Sequence, residues 1–270
     1  MSQTVFPKPF QAIGCNQCRS AADLGFEVTM AFQPIVHVMT GKPYAYEALV
    51  RGVNGEGAAQ VLAQVTPENI YRFDQVCRVR AIEQAARLGL QHLDDCRLSI
   101  NFLPNAVYRA STCIRATLEA TRQFSFPADR LMFEVTEGEQ VADPEHLKSI
   151  FREYSRQGFI TAIDDFGSGY SGLNLLAEFQ PDVLKLDMAL TRNLHSDPVR
   201  AAIVAGIVLV AQRLDITLIA EGVETVQERD ALAVLGIELM QGYLFAQPAI
   251  NALPLSEWFA TAQPAPSSAG

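Results

Sequence analysis

The sequence predicts an α/β fold, a modified TIM (β/α)8 barrel in which the first strand is antiparallel to its neighbours. Three observations support this fold class. The chain has 270 residues, close to the roughly 250 that such a barrel uses as one domain. Short apolar runs alternate with longer helical stretches. The first two apolar runs are separated by too few residues for the helix that joins parallel strands.

Eight strands are predicted from short apolar runs, mostly free of proline, which are typical of strands buried on both faces. They are Ala31–Val38, Tyr44–Val50, Arg97–Phe102, Leu131–Thr136, Ile160–Asp164, Val183–Asp187, Thr217–Ala220 and Glu238–Gln241. Residues 39–43, which include Gly41, join the first two. This connection is too short for a crossover helix, so we expect one reversed strand near the start of the barrel.

Six helices are predicted between these strands from apolar residues at helical spacing. They are about Pro67–Leu88, Ser111–Gln123, Pro144–Gln157, Leu173–Phe179, Pro198–Arg213 and Val226–Leu235. Gly158 and Gly236 come just after a helix and before a strand, where a left-handed cap favours glycine. The expected organisation is an N-terminal extension over residues 1–25, one barrel over 26–260 and a disordered tail over 261–270.

Charge and composition exclude several classes of protein. The chain is 49% hydrophobic and 19% charged, so it is globular rather than disordered or fibrous. Its net charge of -9 argues against binding DNA by general attraction to phosphates. We find no membrane span and no signal-peptide core, and therefore expect a cytoplasmic location. Five cysteines, including an isolated Cys15 and Cys18 pair, are interpreted as ordinary thiols rather than as disulfides or a zinc site.

Polar side chains recur where the predicted strands end, and most of them are carboxylates. They are Glu47, Asn101, Glu134, Glu137, Asp164, Asp165, Lys185, Asp187, Glu221, Glu224 and Gln241. In a barrel these ends converge on one mouth, where unpaired anions would repel one another. Taken singly, each residue is typical of a helix cap or of the surface. The joint pattern favours a site for divalent cations.

The donor types indicate which cations the site would take. Oxygen ligands without His or Cys suit Mg²⁺ or Mn²⁺ better than zinc or copper. The adjacent Asp164 and Asp165 suggest two ions that share a carboxylate oxygen. Two such ions about 3.5–4 Å apart are a known device for hydrolysing phosphate esters. Lys185 would lie beside them to orient or deprotonate the attacking water.

Five motifs in order resemble the EAL domain, a family that hydrolyses the bacterial second messenger cyclic di-GMP. They are Phe32-Gln-Pro-Ile-Val36, Glu47-Ala-Leu49 with Arg51, Asp164-Asp-Phe-Gly-Ser-Gly-Tyr170, Ala220-Glu-Gly-Val-Glu-Thr225 and Gln241-Gly-Tyr-Leu-Phe245. The resemblance covers roughly residues 28 to 260. The amino-acid sequence around these motifs is most similar to EAL domains that are joined to light-sensing modules. No such module is recognised in these 270 residues.

The resemblance implies cleavage of one phosphodiester to give linear pGpG, with two Mg²⁺ or Mn²⁺ ions, and assigns a role to each matching residue. The implied metal ligands are Glu47, Asn101, Glu134, Asp164, Asp165 and Glu221. The implied catalytic residues are Lys185, Glu47, Glu221 and Gln241. Glu137 and Glu224 would support these residues without contacting the metal ions or the substrate themselves. The implied substrate contacts are Gln33, Leu49, Arg51 and Asp187. Glu137 would steady the loop after Asp165.

The resemblance leaves more than one function open. Every acidic and amide position that the family needs is present, which favours an active phosphodiesterase. The alternatives are a cyclic di-GMP receptor with little or no turnover and a barrel hydrolase for another phosphodiester. A homodimer is expected from the family and from the loop Phe166–Gly172, with a sensor domain or regulatory protein as a further partner. In that loop, Ser168 and Gly172 depart from the commoner Thr and Ser.

Overall fold

Eight strands close into a barrel in a computed structural model that describes residues 24–107, 109–137, 144–169 and 172–254. The strands are β1 (Val28–His37), β2 (Lys42–Gly52), β3 (Arg97–Asn101), β4 (Leu131–Thr136), β5 (Ile160–Phe166), β6 (Val183–Leu186), β7 (Thr217–Ala220) and β8 (Leu239–Met240). Strands β2 to β8 pair in parallel, and β1 is antiparallel to both β2 and β8. The prediction of a barrel with a reversed first strand is confirmed.

Helices occupy the connections between successive parallel strands. They are α1 (Ala58–Leu62), α2 (Ile70–Arg87), α3 (Ala110–Gln123), α4 (Pro144–Arg156), α5 (Gly172–Glu178), α6 (Met188–Thr191), α7 (Pro198–Leu214) and α8 (Val226–Val234). Short 3-10 turns lie at Leu90–His92, Pro104–Ala106, Ala128–Arg130 and Leu194–Ser196. Among the described helices, none has the length and apolar character needed to cross a bilayer.

Several element boundaries differ from the sequence prediction. Strand β6 ends at Leu186 because Asp187 leaves the sheet, and its side chain accepts a hydrogen bond from Ala189 N to cap the unpredicted helix α6. Helix α2 begins at Ile70 rather than Pro67, because the Asn69 side chain accepts from Thr66 N and holds the preceding residues in a turn. A two-residue strand β9 (Ala249–Ile250) was also missed and pairs with β1. The predicted tail and the Cys15–Cys18 pair lie outside the described residues.

One apolar layer fills the part of the barrel interior nearest the amino ends of the parallel strands. Its buried members are Ile35, Ala45, Met132, Ala162, Val183, Ile219 and Leu239. Each comes from a different strand, so these side chains pack seven of the eight barrel strands against one another. This packed layer is the floor on which the polar residues described below are placed.

A second core lies between the barrel and its helices, and it contains a buried cation. Arg78 of α2 is 1% exposed and forms an ion pair with Asp74, at 2.5 Å, while its Nη1 donates to Tyr154 Oη at 2.7 Å. The rings of Phe102 and Phe133 lie 5.6 Å from its guanidinium carbon. Because Asp74 also accepts a hydrogen bond from Leu103 N, this group fixes the chain just beyond the end of β3.

Candidate active site

A polar layer lies directly on the apolar layer, toward the carboxyl ends of the parallel strands. Side chains alternate between the two faces of a strand, so a residue two positions from an inward-facing one also faces inward. In six of the seven parallel strands the polar residue comes two positions after the apolar one, and in the reversed β1 it comes two before; β3 contributes no member of the apolar layer. The pairs are Ala45 and Glu47, Met132 and Glu134, Ala162 and Asp164, Val183 and Lys185, Ile219 and Glu221, Leu239 and Gln241, and Ile35 and Gln33.

Lys185 lies at the centre of this polar layer and is completely buried. Its Nζ is 3.0 Å from Glu134 Oε2, 3.0 Å from Asp164 Oδ1, 2.8 Å from Glu221 Oε1 and 3.4 Å from Glu47 Oε2. One ammonium therefore faces four carboxylates contributed by four different strands or strand ends. Crowding of this kind is destabilising unless cations or protons compensate the negative charge.

The pKa values of Glu134, Glu221, Asp165 and Lys185 are all raised above their usual values. Burial raises the pKa of Glu134 to about 8 and that of Glu221 well above its usual range, although Lys185 partly offsets the effect. Burial, followed by the charge of Asp164, raises the pKa of Asp165 to about 6. Burial alone would lower the pKa of Lys185, but Asp164 and the other carboxylates outweigh it and raise that pKa well above normal.

The carboxylates form two overlapping groups with the spacing of metal ligands. Glu47, Glu134 and Asp164 make one group, and Asp164, Asp165 and Glu221 make the other, with the oxygen atoms of each within 4.8 Å of one another. Asp164 belongs to both. Glu134 Oε1 is buried with no well-aligned donor among the described residues. An all-oxygen donor set with an unsatisfied buried carboxylate oxygen fits a hard divalent cation, so these acidic residues could hold metal.

A bulge in β5 brings the two adjacent aspartates to the same side. Consecutive strand residues normally point to opposite faces, but the pairing of β5 with β6 shifts register between Ile163 and Phe166. Asp165 has φ of 55° at this point, a left-handed conformation that Asp tolerates better than most residues. The extra residue turns the Asp165 carboxylate back toward the mouth, where it joins Asp164 and Glu221.

Amide side chains link the carboxylates into one hydrogen-bonded layer. Gln241 Nε2 donates to Glu47 Oε2 at 2.7 Å and lies 3.2 Å from Gln33 Oε1. Asn101 Nδ2 donates to the other Glu47 oxygen at 2.9 Å. Gln33 Nε2 in turn donates to Ala246 O at 3.1 Å. Both oxygens of Glu47 are thus held in position, and the layer closes across β8, β1, β2 and β3.

Two further carboxylates contact the site loops rather than the central cluster. Glu137 Oε2 accepts a hydrogen bond from Gly167 N at 2.7 Å and so reaches the turn after Asp165. Glu224 pairs with Arg192, with Nη2 to Oε1 at 2.8 Å and Nη1 to Oε2 at 2.5 Å. The structure therefore brings together the residues expected at the centre and places these two around it.

The expected substrate contacts are divided between two places. A cavity of about 320 Å³ at the mouth is lined by Gln33, Glu47, Asp165, Asp187, Met188, Arg192, Glu221, Gly222, Glu224, Gln241, Gly242 and Tyr243. Leu49 lines a separate cavity of about 300 Å³ behind Asn101. Arg51 lies in β2, where its Nη1 donates to Val50 O. Arg192 and Met188 were not assigned from the sequence, because they belong to the short unpredicted helix α6 and its end. Tyr243 lies in the motif Gln241–Phe245, but no role was assigned to it.

Comparison with known proteins agrees with this geometry. The model of the family described as EAL domain matches residues 17–248. The blue light- and temperature-regulated antirepressor BluF of Escherichia coli K12 is 31% identical over 228 residues, which are 84% of this chain and 56% of BluF. This chain thus spans about half the length of that curated relative.

Solved structures give the same result. A standalone EAL protein from Vibrio cholerae O395, bound to c-di-GMP, is 51% identical with a TM-score of 0.84, over 89% of this chain and 100% of that one. The manganese and cyclic di-GMP complex of BlrP1 from Klebsiella pneumoniae is 35% identical with a TM-score of 0.78, over 83% and 56%. The match over most of the chain, together with the shared fold, shows that this chain belongs to the EAL-domain family.

Proposed function

We propose that this chain is a phosphodiesterase that hydrolyses cyclic di-GMP to linear pGpG with two Mg²⁺ or Mn²⁺ ions. The observation that carries the proposal is the pair of overlapping carboxylate groups around Lys185, which share Asp164. Structural carboxylates do not usually collect in a buried layer, because burial penalises their charge. A site that binds divalent cations and a phosphodiester gives this arrangement a chemical purpose.

The residues would divide the work as their positions indicate. Glu47, Asn101, Glu134 and Asp164 would hold one ion, and Asp164, Asp165 and Glu221 the other. Bound ions of this kind lower the pKa of a water molecule and neutralise charge on phosphoryl oxygens. Lys185 Nζ would orient the attacking water, because it lies between both carboxylate groups. Gln241, whose Nε2 donates to Glu47 Oε2, would contact the water or the phosphate.

The remaining residues would bind the nucleotide or hold the loops. Gln33 and Asp187 line the mouth cavity and would contact the dinucleotide, together with Leu49 and Arg51 at the end of β2. Glu137 would steady the turn after Asp165 through Gly167 N. Glu224 would act through Arg192.

A hydrolysis assay with a matched pair of variants tests this function. The parent chain is expected to convert cyclic di-GMP to pGpG with Mn²⁺ or Mg²⁺ and to stop when EDTA is added. Glu47→Gln is expected to lose at least about 100-fold in turnover, because loss of a residue that only supports a metal ligand already costs about 10–100-fold, while circular dichroism shows a folded barrel. Glu119→Gln, a partly exposed change on α3, is the control. Parental turnover by Glu47→Gln would show that the metal assignment is wrong.

The second candidate is a cyclic di-GMP receptor with little or no turnover. It is favoured by one observation, that the relative BluF is named an antirepressor. Ligand recovered intact after long incubation with both Mg²⁺ and Mn²⁺ would establish the receptor and overturn the enzyme. Cleavage of ordinary nucleotide diesters in preference to cyclic di-GMP would instead indicate a different phosphodiesterase.

We also propose that the chain forms a homodimer. The support in this structure is helix α7, which leaves Val199, Ile203 and Leu209 largely exposed, a surface that a second copy could cover. A sensor domain or regulatory protein as partner, and a cytoplasmic location, stay predictions from the sequence.

A further inference from the structure

We propose that Arg192, oriented by Glu224, binds the O6 and N7 atoms of a guanine base of the dinucleotide and thereby determines base specificity. This inference rests on the proposed function, since it concerns the ligand of the same cavity. It adds a residue and a role to the motif-derived site, because Arg192 lies outside every motif that the sequence comparison used.

Charge in the mouth cavity singles out Arg192. Among the described residues that line the cavity, the charged ones are Arg192 and the carboxylates Glu47, Asp165, Asp187, Glu221 and Glu224. Carboxylates accept hydrogen bonds and cannot donate them when ionised. A hydrogen-bond acceptor of a ligand in this part of the cavity therefore has Arg192 as its one cationic partner among these residues. The Arg192 side chain is 27% exposed.

Glu224 fixes the plane of the Arg192 guanidinium. The two-point pair joins Nη1 and Nη2 to the two carboxylate oxygens, a geometry that restricts the orientation of the fork. Arg200 Nη1 donates to the Arg192 carbonyl at 2.6 Å and holds its backbone. A guanidinium has five N–H donors, and the pair with Glu224 engages two nitrogen atoms through one N–H each. The Nε edge accordingly keeps donors for a second two-point contact.

The surroundings of Arg192 suit a base better than a phosphate. Met188 and Tyr243 line the same cavity with 47% and 58% of their surface exposed, so they offer apolar and aromatic faces to a flat ring. A phosphate belongs instead over the buried carboxylate layer, where cations would compensate its charge. Arginine and the O6 and N7 atoms of guanine form one of the commonest two-point contacts between proteins and bases.

Asp187 makes the arrangement selective against adenine. Its Oδ1 caps α6 through Ala189 N, and its other oxygen can accept from guanine N1–H, which is next to O6, and from the N2–H group beyond it. Adenine presents a donor at N6 and an acceptor at N1, so it would oppose a donor to Arg192 and an acceptor to Asp187. Mismatched polar groups of this kind are an effective way to reject a ligand.

The test combines substitution of one residue, Arg192, with removal of one ligand atom, N7 of guanine, and asks whether the two effects depend on each other. Binding is measured by calorimetry in EDTA, and KM and kcat are measured with Mn²⁺, for cyclic di-GMP and for its analogue with 7-deazaguanine bases. The analogue lacks N7 but keeps the phosphates and the N1–H edge. The proteins are the parent chain, Arg192→Ala, Arg192→Lys and Arg156→Ala, the last being a control on α4 whose side chain is 77% exposed.

The parent chain is expected to bind cyclic di-GMP about 10-fold more tightly than the analogue. Arg192→Ala is expected to weaken cyclic di-GMP at least to the level at which the parent binds the analogue, because the O6 contact is lost as well, and to remove the difference between the two ligands. Arg192→Lys is expected to remove most of that difference, and both variants are expected to change KM rather than kcat. The control is expected to behave like the parent. An Arg192→Ala variant that keeps the parental ratio, or a parent that does not distinguish the ligands, overturns the proposal.

The outcome also separates this inference from the proposed function. A parent chain that binds both ligands without cleaving either fails the proposed function, while its binding ratios still decide the role of Arg192. A parent that cleaves cyclic di-GMP with no Arg192-dependent discrimination keeps the function and loses this inference. A parent that neither binds nor cleaves cyclic di-GMP overturns both.

Discussion

At the scale of single residues, Lys185 compensates part of the negative charge of the carboxylate layer before any divalent cation binds. Its ammonium contacts four carboxylates while wholly buried. The raised pKa values of Glu134 and Glu221 indicate that protons make up part of the remaining charge compensation. Cations that enter the layer must displace those protons, as is general for carboxylate ligands.

Replacing Lys185 with methionine tests this balance. We expect Lys185→Met to lower the free energy of unfolding in EDTA by about 3–5 kcal/mol, the usual cost of removing one partner from a buried ion pair. Mn²⁺ should then raise the melting temperature of the variant more than that of the parent, because the ammonium no longer competes with the ions.

The matched control is Lys148→Met. Lys148 pairs with Glu145 and Glu178, whose side chains are 69% and 63% exposed, and such surface pairs contribute little to stability because solvent screens them. Thermal unfolding with and without Mn²⁺ measures both effects. A Lys185→Met protein as stable in EDTA as the Lys148→Met control would contradict this view of the cluster.

At the scale of elements, the positions of the site residues follow from strand periodicity. The two-residue offset from the apolar layer places Glu47, Glu134 and Asp164 on one level. This offset was available in the sequence, because most of the predicted apolar runs carry or are followed by one polar residue two positions after an inward-facing apolar one. The β5 bulge was not available, since Asp164-Asp-Phe166 carries no local sign of a register shift. Helix α6 was missed because four residues are too few for a helical period, and Arg192 was missed with it.

A second element-scale feature is the close approach of the β8 end to the loop after β7. A Cβ atom at Gly242 would lie 2.0 Å from Val223 O and 2.4 Å from Val223 N. Val223 N donates to Gln241 O at 3.1 Å, and Leu244 N donates to Val223 O at 3.1 Å. Only glycine permits this contact, which positions the adjoining Gln241, whose Nε2 donates to Glu47 Oε2.

Two alanine substitutions test that contact against a neutral site. Gly242→Ala is expected to destabilise the chain by about 1–3 kcal/mol through overpacking and to reduce turnover, since Gln241 must move. Gly206→Ala in α7, where nothing lies within 4 Å of the added atom, is expected to stabilise by about 0.5–1 kcal/mol. Urea unfolding compares the two. Equal stability of both variants would mean that the close approach does not occur.

At the scale of the whole molecule, the barrel separates stability from chemistry. The apolar layer and the second core between the barrel and its helices stabilise the strands. The carboxylates lie at the carboxyl ends of the strands, as is general for this architecture. The fold class and the composition of the site could therefore be predicted from the order of strands and helices. The homodimer was expected only from the resemblance and from the loop Phe166–Gly172, and it stays a prediction, because the order of strands and helices carries no information about assembly.

The proposed homodimer is a property of the same scale. Light scattering during size-exclusion chromatography is expected to give about twice the chain mass of 29.6 kDa at micromolar concentration. Leu209→Glu should shift the mass toward the monomer, because it places a charge within the apolar surface of α7. Val234→Glu on α8, where Val234 is 87% exposed, is the control. A monomer at every concentration would rule the dimer out.

The central claim is that residues from separate strands form a site for two divalent cations. Anomalous X-ray diffraction from crystals grown with Mn²⁺ and cyclic di-GMP tests it most directly. The account predicts two peaks about 3.5–4 Å apart, one beside Glu47, Asn101 and Glu134 and the other beside Asp165 and Glu221, with Asp164 between them. Crystals with no manganese peak in this layer, or with peaks only elsewhere on the chain, would contradict it.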